Sequence, residues 1–312
     1  MEPLPDFIEA LLPPGRRDAE LRVLGERMAV SEYGPADGPV VLLVHGNPTY
    51  SFLWRKVITA IRARTGGDKL RLITPDLIGL GRSSKPALAA HSLARHAAWL
   101  GDALDQLAPD QPVVIVAQDW GGPIALRALA DRRARLRGIV LGNTGVGPPH
   151  ARFKPTLFHR LSQLPVASDL LFRGLGFPLG VLHLSQGDRG SIRGDVARAY
   201  RWPLRALADR AAPLALARMV PDRVDGHPSI PDFHVAQQLF ATARVPVAMV
   251  WGDRDPILGR VVTHLARVRP DARVTRTQAG HFLQEEVPDA LADAAIDVVA
   301  RADWSSRGPV VA

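Results

Sequence analysis

A buried strand that ends in a tight turn bearing an acid, and runs straight on into a helix, most narrows what this chain can fold into. Val113-Val114-Ile115-Val116 is β-branched and apolar, the pattern of a strand covered on both faces. Pro123-Ile124-Ala125-Leu126-Arg127-Ala128-Leu129 reads as helix. Between them lie Ala117-Gln118-Asp119-Trp120-Gly121-Gly122. Small residues at Ala117 and Gly121 allow a turn so sharp that the central side chain is lifted out of the sheet. A serine at that apex would attack carbonyls. A carboxylate attacks saturated, electrophilic carbon and leaves an alkyl ester on the protein.

The rest of the chain repeats the alternation of strand and helix. An opening hairpin is expected over 21–33, then strands over 40–44, 70–74, 138–141, 247–251 and 272–276. Helices are expected near 52–64 and 92–107, with a closing one over 288–302. Short turns join these elements, which argues for a mostly parallel sheet flanked by helices. From Val146 to Asp232 the pattern changes to helix signals, prolines and glycines without a strand. That stretch and its border carry Phe153, Phe158, Phe172, Phe177, Phe233 and Trp202. The expected division is therefore a core domain of residues 1–145 and 233–312 with an inserted helical lid over 146–232. The lid aromatics are read as lid core more than as substrate contacts, and Asp303 to Ala312 as a loose tail.

Two later loops supply partners for the acid, each at the carboxyl end of a strand, where sites in open α/β sheets form. One is Gly252-Asp253-Arg254-Asp255-Pro256, in which either aspartate could orient a histidine. The other is Ala279-Gly280-His281-Phe282. His45, in the turn His45-Gly46-Asn47-Pro48, competes with His281 as base but reads better as a structural hydrogen-bonder. The order acid, acid, histidine together with the strand–turn–helix resembles the α/β-hydrolase fold and its nucleophile elbow. More narrowly, His45-Gly46-Asn47-Pro48 with Thr49-Tyr50-Ser51-Phe52-Leu53-Trp54-Arg55, taken with Gln118-Asp119-Trp120-Gly121-Gly122, resembles the haloalkane dehalogenases. The resemblance runs from about Leu42 to Glu285, and Ala199-Tyr200-Arg201-Trp202-Pro203-Leu204 is similar to lid segments of that family.

That resemblance implies a chemistry the residues can perform. Asp119 would displace halide to give an alkyl-aspartate ester, and the side-chain N–H groups of Asn47 and Trp120 would hold the leaving halide. His281, oriented by Asp255 as the family's Gly-x-x-Asp spacing selects, would activate the water that hydrolyses the ester. Backbone N–H groups of Asn47 and Trp120 would form the oxyanion hole. Asn143 occupies the position where some relatives carry the acid, so an Asn47–Trp120 pair with Asp255 resembles the third subfamily. The implied partners are a halogenated small molecule and halide ion, with no cofactor and no metal.

An epoxide hydrolase shares the aspartate and the Asp-Trp-Gly-Gly elbow and is the main alternative. That family protonates its alkoxide with lid tyrosines, and the lid here offers only Tyr200. A haloacid dehalogenase would want basic residues gripping a carboxylate, and a binding module on a hydrolase scaffold would typically have lost a triad member. Gly79-Leu80-Gly81 lacks the third glycine of a dinucleotide loop. Asp76 is expected to satisfy local backbone donors.

Composition removes other classes. With no cysteine there is neither thiol nucleophile nor zinc–thiolate site. A net charge of +8 invites a nucleic-acid reading, yet the arginines are scattered, only four lysines occur, and no nucleic-acid motif accompanies them. The N-terminus carries no basic region followed by an apolar stretch, and no apolar run approaches a membrane span, so a cytoplasmic protein without membrane contact is expected. Self-association is left open. So are natural substrate, chain length, halide preference and enantioselectivity.

Overall fold

The computed structural model describes residues 1–149 and 157–305. Its centre is an eight-stranded sheet made of β1 (Arg17–Val23), β2 (Glu26–Tyr33), β3 (Val40–Val44), β4 (Arg71–Pro75), β5 (Val113–Gln118), β6 (Leu136–Gly142), β7 (Val247–Gly252) and β8 (Arg273–Thr277). The spatial order is β1-β2-β4-β3-β5-β6-β7-β8. β1 and β2 pair antiparallel, as do β2 and β4, and every other pairing is parallel. Every expected strand is present, with ends shifted by a few residues.

The unbroken apolar runs have a simple cause: both faces of the sheet are covered. Val40, Leu42, Val44, Val113, Ile115 and Ala117 face one layer, which includes the helices Leu93–Leu107, Gly121–Ala130 and Ile230–Thr242. Val41, Leu43, Val114 and Val116 face the other, built on Arg55–Thr65 and Pro288–Arg301. Alternate residues of one strand thus enter different cores, and neither set can be polar. Local signals set the helix ends. Ser92 caps Leu93–Leu107 by accepting from the Arg95 N–H at 3.2 Å. Gly66, at φ 69°, ends Arg55–Thr65 in the left-handed conformation.

Between β6 and β7 the described residues contain helices and turns and no strand, among them Gly194–Arg201 and Ala211–Met219. The expected border at 232/233 cuts through a continuous helix, Ile230–Thr242, whose buried Phe233, Ala236, Leu239 and Phe240 seat it in the core layer. Pro231 stands in that helix's first turn, where a missing N–H costs nothing. Within the expected loose tail, the Trp304 indole donates to the Val299 carbonyl at 3.0 Å and so packs on the last helix. Residues 306–312 lie outside the described residues, as do Phe153 and the side chain of Phe158. Phe172 and Phe177 meet edge-on at 5.3 Å within the inserted segment, as lid-core packing requires. No helix among the described residues is long and apolar enough to cross a membrane.

A hydrogen bond from Tyr200 to a buried core ion pair ties the inserted segment to the core. Arg55 binds Glu285 through two hydrogen bonds of 2.6 and 2.8 Å, and Tyr200 donates to the same carboxylate at 2.5 Å. Burial opposes ionisation of Glu285, but Arg55 and the Tyr200 hydroxyl outweigh it and hold the acid below its usual range. Glu285→Gln strands a buried guanidinium and is expected to destabilise the fold by about 3–5 kcal/mol, read as a lowered urea midpoint. A shift within error would mean that solvent reaches Arg55.

Candidate active site

Asp119 stands at the apex between β5 and the Gly121–Ala130 helix, with φ at 51°. Few non-glycine residues adopt that conformation, so surrounding bonds must hold it. The Asp119 N–H donates to the Asn143 carbonyl at 3.1 Å, and the Thr144 hydroxyl donates to the Asp119 carbonyl at 2.6 Å. Both partners follow β6, the neighbouring strand. The glycines around the apex are sterically required: a Cβ at Gly121 would overlap the Val44 carbonyl, one at Gly122 the Thr144 hydroxyl, and one at Gly46 the Asp119 carboxyl itself.

The Asp119 carboxylate has two unlike oxygens. Oδ1 accepts the Asn47 N–H at 2.7 Å, and the Trp120 backbone N–H also bonds to the carboxylate. Oδ2 lies 3.7 Å from His281 Nε2, too far for a direct hydrogen bond. Burial pushes the Asp119 pKa up, against the pull of His281 and the two backbone donors. A carboxylate so short of water is ionised at a cost, although its side chain keeps a partly exposed edge.

His281 is 2% exposed, and its Nδ1 donates to Asp255 Oδ2 at 2.9 Å. With Nδ1 carrying the proton, Nε2 keeps its lone pair on the side facing Asp119. Gln118 reaches that nitrogen at 3.3 Å and also donates to the His281 carbonyl at 3.1 Å. Asp255 Oδ2 receives a second donor, the Asn143 amide at 2.7 Å, while Oδ1 accepts the Ile257 N–H at 2.7 Å. Burial resists charge on Asp255, but His281 and these donors prevail and hold its pKa down. Burial likewise opposes charge on His281, and the two aspartates more than compensate, raising its pKa.

The alternatives left open by the sequence separate cleanly. Asp253 pairs with Arg276 at 2.8 Å, and Asp255 is the aspartate bonded to His281. His45 is spent on structure: Nδ1 bonds the Gly46 carbonyl at 2.9 Å, and Nε2 accepts the Leu77 N–H at 2.9 Å. Asp76 accepts backbone N–H groups of Ser51 and Arg82, each at 2.8 Å. Asn47 donates one amide hydrogen to the Pro213 carbonyl at 3.1 Å, on the inserted Ala211–Met219 helix. Trp120 is 6% exposed and packs on Phe233 at 5.7 Å, and its indole N–H has no hydrogen-bond partner among the described residues.

Sequence reasoning missed Asn143 and Thr144 as positioning groups. Asn143 entered only as an acid position lacking its acid, yet its amide also accepts the Gly252 N–H at 2.8 Å and so joins the ends of β6 and β7. Its φ of 30° is a feature of the folded chain alone. The signal available beforehand was an Asn-Thr pair directly after a buried strand.

A nucleophile elbow on a mostly parallel sheet, with acid and histidine on later strand ends, defines an α/β hydrolase, and residues 39–288 match the α/β-hydrolase fold family. The chain is 31% identical over 277 residues to haloalkane dehalogenase 2 of Mycobacterium tuberculosis, covering 83% of this chain and 87% of that protein. It is 32% identical over 274 residues to the haloalkane dehalogenase of Mycobacterium marinum, covering 86% of each. Haloalkane dehalogenase DbeA of Bradyrhizobium elkani superposes with a TM-score of 0.80 at 26% identity, over 91% of this chain and 99% of that one. The chain belongs to the haloalkane dehalogenase family of α/β hydrolases.

Proposed function

We propose that this protein hydrolyses haloalkanes to alcohol and halide in two steps through an alkyl ester on Asp119. The observation that carries this reading is the asymmetry of the Asp119 carboxylate. Oδ2 is the free oxygen, and it attacks the halogen-bearing carbon in line. The C–O bond forms as the C–halogen bond breaks, and halide leaves with the bonding electron pair. The Trp120 indole N–H and the second amide hydrogen of Asn47 receive the developing charge. One well-aimed donor of this kind is worth on the order of 3 kcal/mol in a dry pocket.

Oδ1 then becomes the ester carbonyl oxygen, already bonded by the Asn47 backbone N–H, with the Trp120 backbone N–H as the second donor to this group. Neutral His281 takes a proton from water, the hydroxide adds to the ester carbon, and negative charge builds on Oδ1 where those donors point. Asp255 stabilises the imidazolium. Collapse expels the alkoxide, which takes the imidazolium proton and leaves as alcohol; Asp119 is left as the carboxylic acid and returns to the carboxylate by releasing its proton to solvent. The segment between β6 and β7 acts as the lid over this centre, excluding water during the displacement. Asn47 touches it through the Pro213 carbonyl, and Trp120 packs on Phe233 of the adjoining Ile230–Thr242 helix.

Epoxide opening would need a donor for the alkoxide. Tyr200 gives its hydroxyl to Glu285, and Tyr50 gives its own to the Ala199 carbonyl at 3.1 Å. The test is halide release from a panel of brominated alkanes beside diol formation from an epoxide panel. Bromide and alcohol in equal amounts support the proposal. Diol without bromide would retain the aspartate nucleophile and overturn the substrate class.

A further inference from the structure

The turn that carries His281 is bound to the lid as well as to the strand ends that hold Gln118, Asn143 and Asp255. The His281 N–H donates to the Ser185 carbonyl at 2.8 Å. Gln186 grips the next residue at both ends, its Oε1 accepting the Phe282 N–H at 2.9 Å and its Nε2 donating to the Phe282 carbonyl at 3.2 Å. Glu286 closes the arrangement. Its Oε1 accepts N–H groups of Gly280 and Gly187 at 2.9 and 3.0 Å, and its Oε2 that of Asp188 at 2.7 Å. One carboxylate therefore joins the residue before His281 to two consecutive lid residues. The approach is so close that a Cβ on Gly280 would overlap the Ser185 carbonyl and the Gln186 backbone. Asp119 has no share in these bonds, being held by residues after β3 and β6.

We infer that Glu286 and Gln186 are positioning residues for the second half of the reaction: they strap lid residues 185–188 to the His281 turn and so set the base against the ester. The inference rests on the two-step reading above. Loosening the strap shifts His281 and leaves the Asp119 elbow untouched, so hydrolysis should suffer and alkylation should not. Misplacement of a reacting group by about 1 Å is costly because proton transfer and attack both need alignment.

The experiment is rapid-quench single turnover with a brominated alkane and enzyme in excess, following bromide for alkylation and the mass of the Asp119 peptide for the ester. In Glu286→Gln and in Gln186→Ala, ester hydrolysis is expected to slow about ten- to a hundredfold while alkylation stays within about twofold. Gln186→Ala leaves the carboxylate in place, so it reads the same split should Glu286→Gln fold poorly. Equal slowing of both steps, or no slowing of hydrolysis, overturns the positioning role. A parent enzyme that forms no ester while still releasing bromide overturns the two-step reading, and this inference with it.

Discussion

Asp119→Ala is expected to lower halide release by at least roughly 10⁴-fold, since losing a nucleophile leaves only binding and the remaining donors. No other carboxylate can take over. Asp255 has both oxygens committed, to His281, Asn143 and Ile257, and Asp253 is paired with Arg276. Water would have to attack the carbon directly, without the proximity that a fixed Oδ2 provides. Alanine also tolerates a φ of 51° less well than aspartate, so thermal melting should accompany the assay. A folded variant that still releases halide at a substantial rate would end the aspartate mechanism.

His281→Phe should separate the two steps. Alkylation needs an ionised Asp119 and a halide site, and neither depends on a base. Ester hydrolysis does, and general-base loss is expected to slow it by about 10²–10⁴-fold. The ester should then accumulate, visible as an alkyl mass on the Asp119 peptide. Substrate consumed with no such adduct would point to a different base.

Acid should partly imitate that variant in the parent enzyme. His281 has a raised pKa because Asp255 and Asp119 outweigh the effect of burial, and only its neutral form accepts a proton. As pH falls through that raised value, hydrolysis is lost. Esterification removes the Asp119 charge and with it one source of the elevation. The acid limb measured on the ester should therefore lie at lower pH than the His281 titration in the free enzyme.

Much of this was readable in advance where local physics sufficed. A parallel sheet buried on both faces writes itself as β-branched runs, and β3, β5 and β7 are buried along their whole lengths. The elbow was legible because a turn that tight admits only small neighbours, and Gly46, Gly121 and Gly122 meet that demand. Asp119 and His281 followed, since each lies within a short motif after a strand. Sequence alone also left Asp253 and Asp255 both standing, two residues apart with the same side chain. Only the fold separates them, by turning Asp255 inward to His281 and Asp253 outward to Arg276.

The supporting groups were out of reach for the same reason. Asn143 lies 112 residues from Asp255, and Glu285 lies 230 from Arg55. Hydrogen-bond partners at such separations leave no periodicity or spacing in the chain. Their choice depends on which strand ends and loops the sheet order makes neighbours. Tyr200, legible as the one lid tyrosine, changed meaning once its hydroxyl was found on Glu285. By itself the sequence determined the layers, the elbow and the acid at its apex, because these rest on contacts between near neighbours and on which faces are buried. Tertiary structure decided which acid serves the histidine, what holds that histidine in place, and which donors stay free, because those depend on where distant backbone and side chains converge.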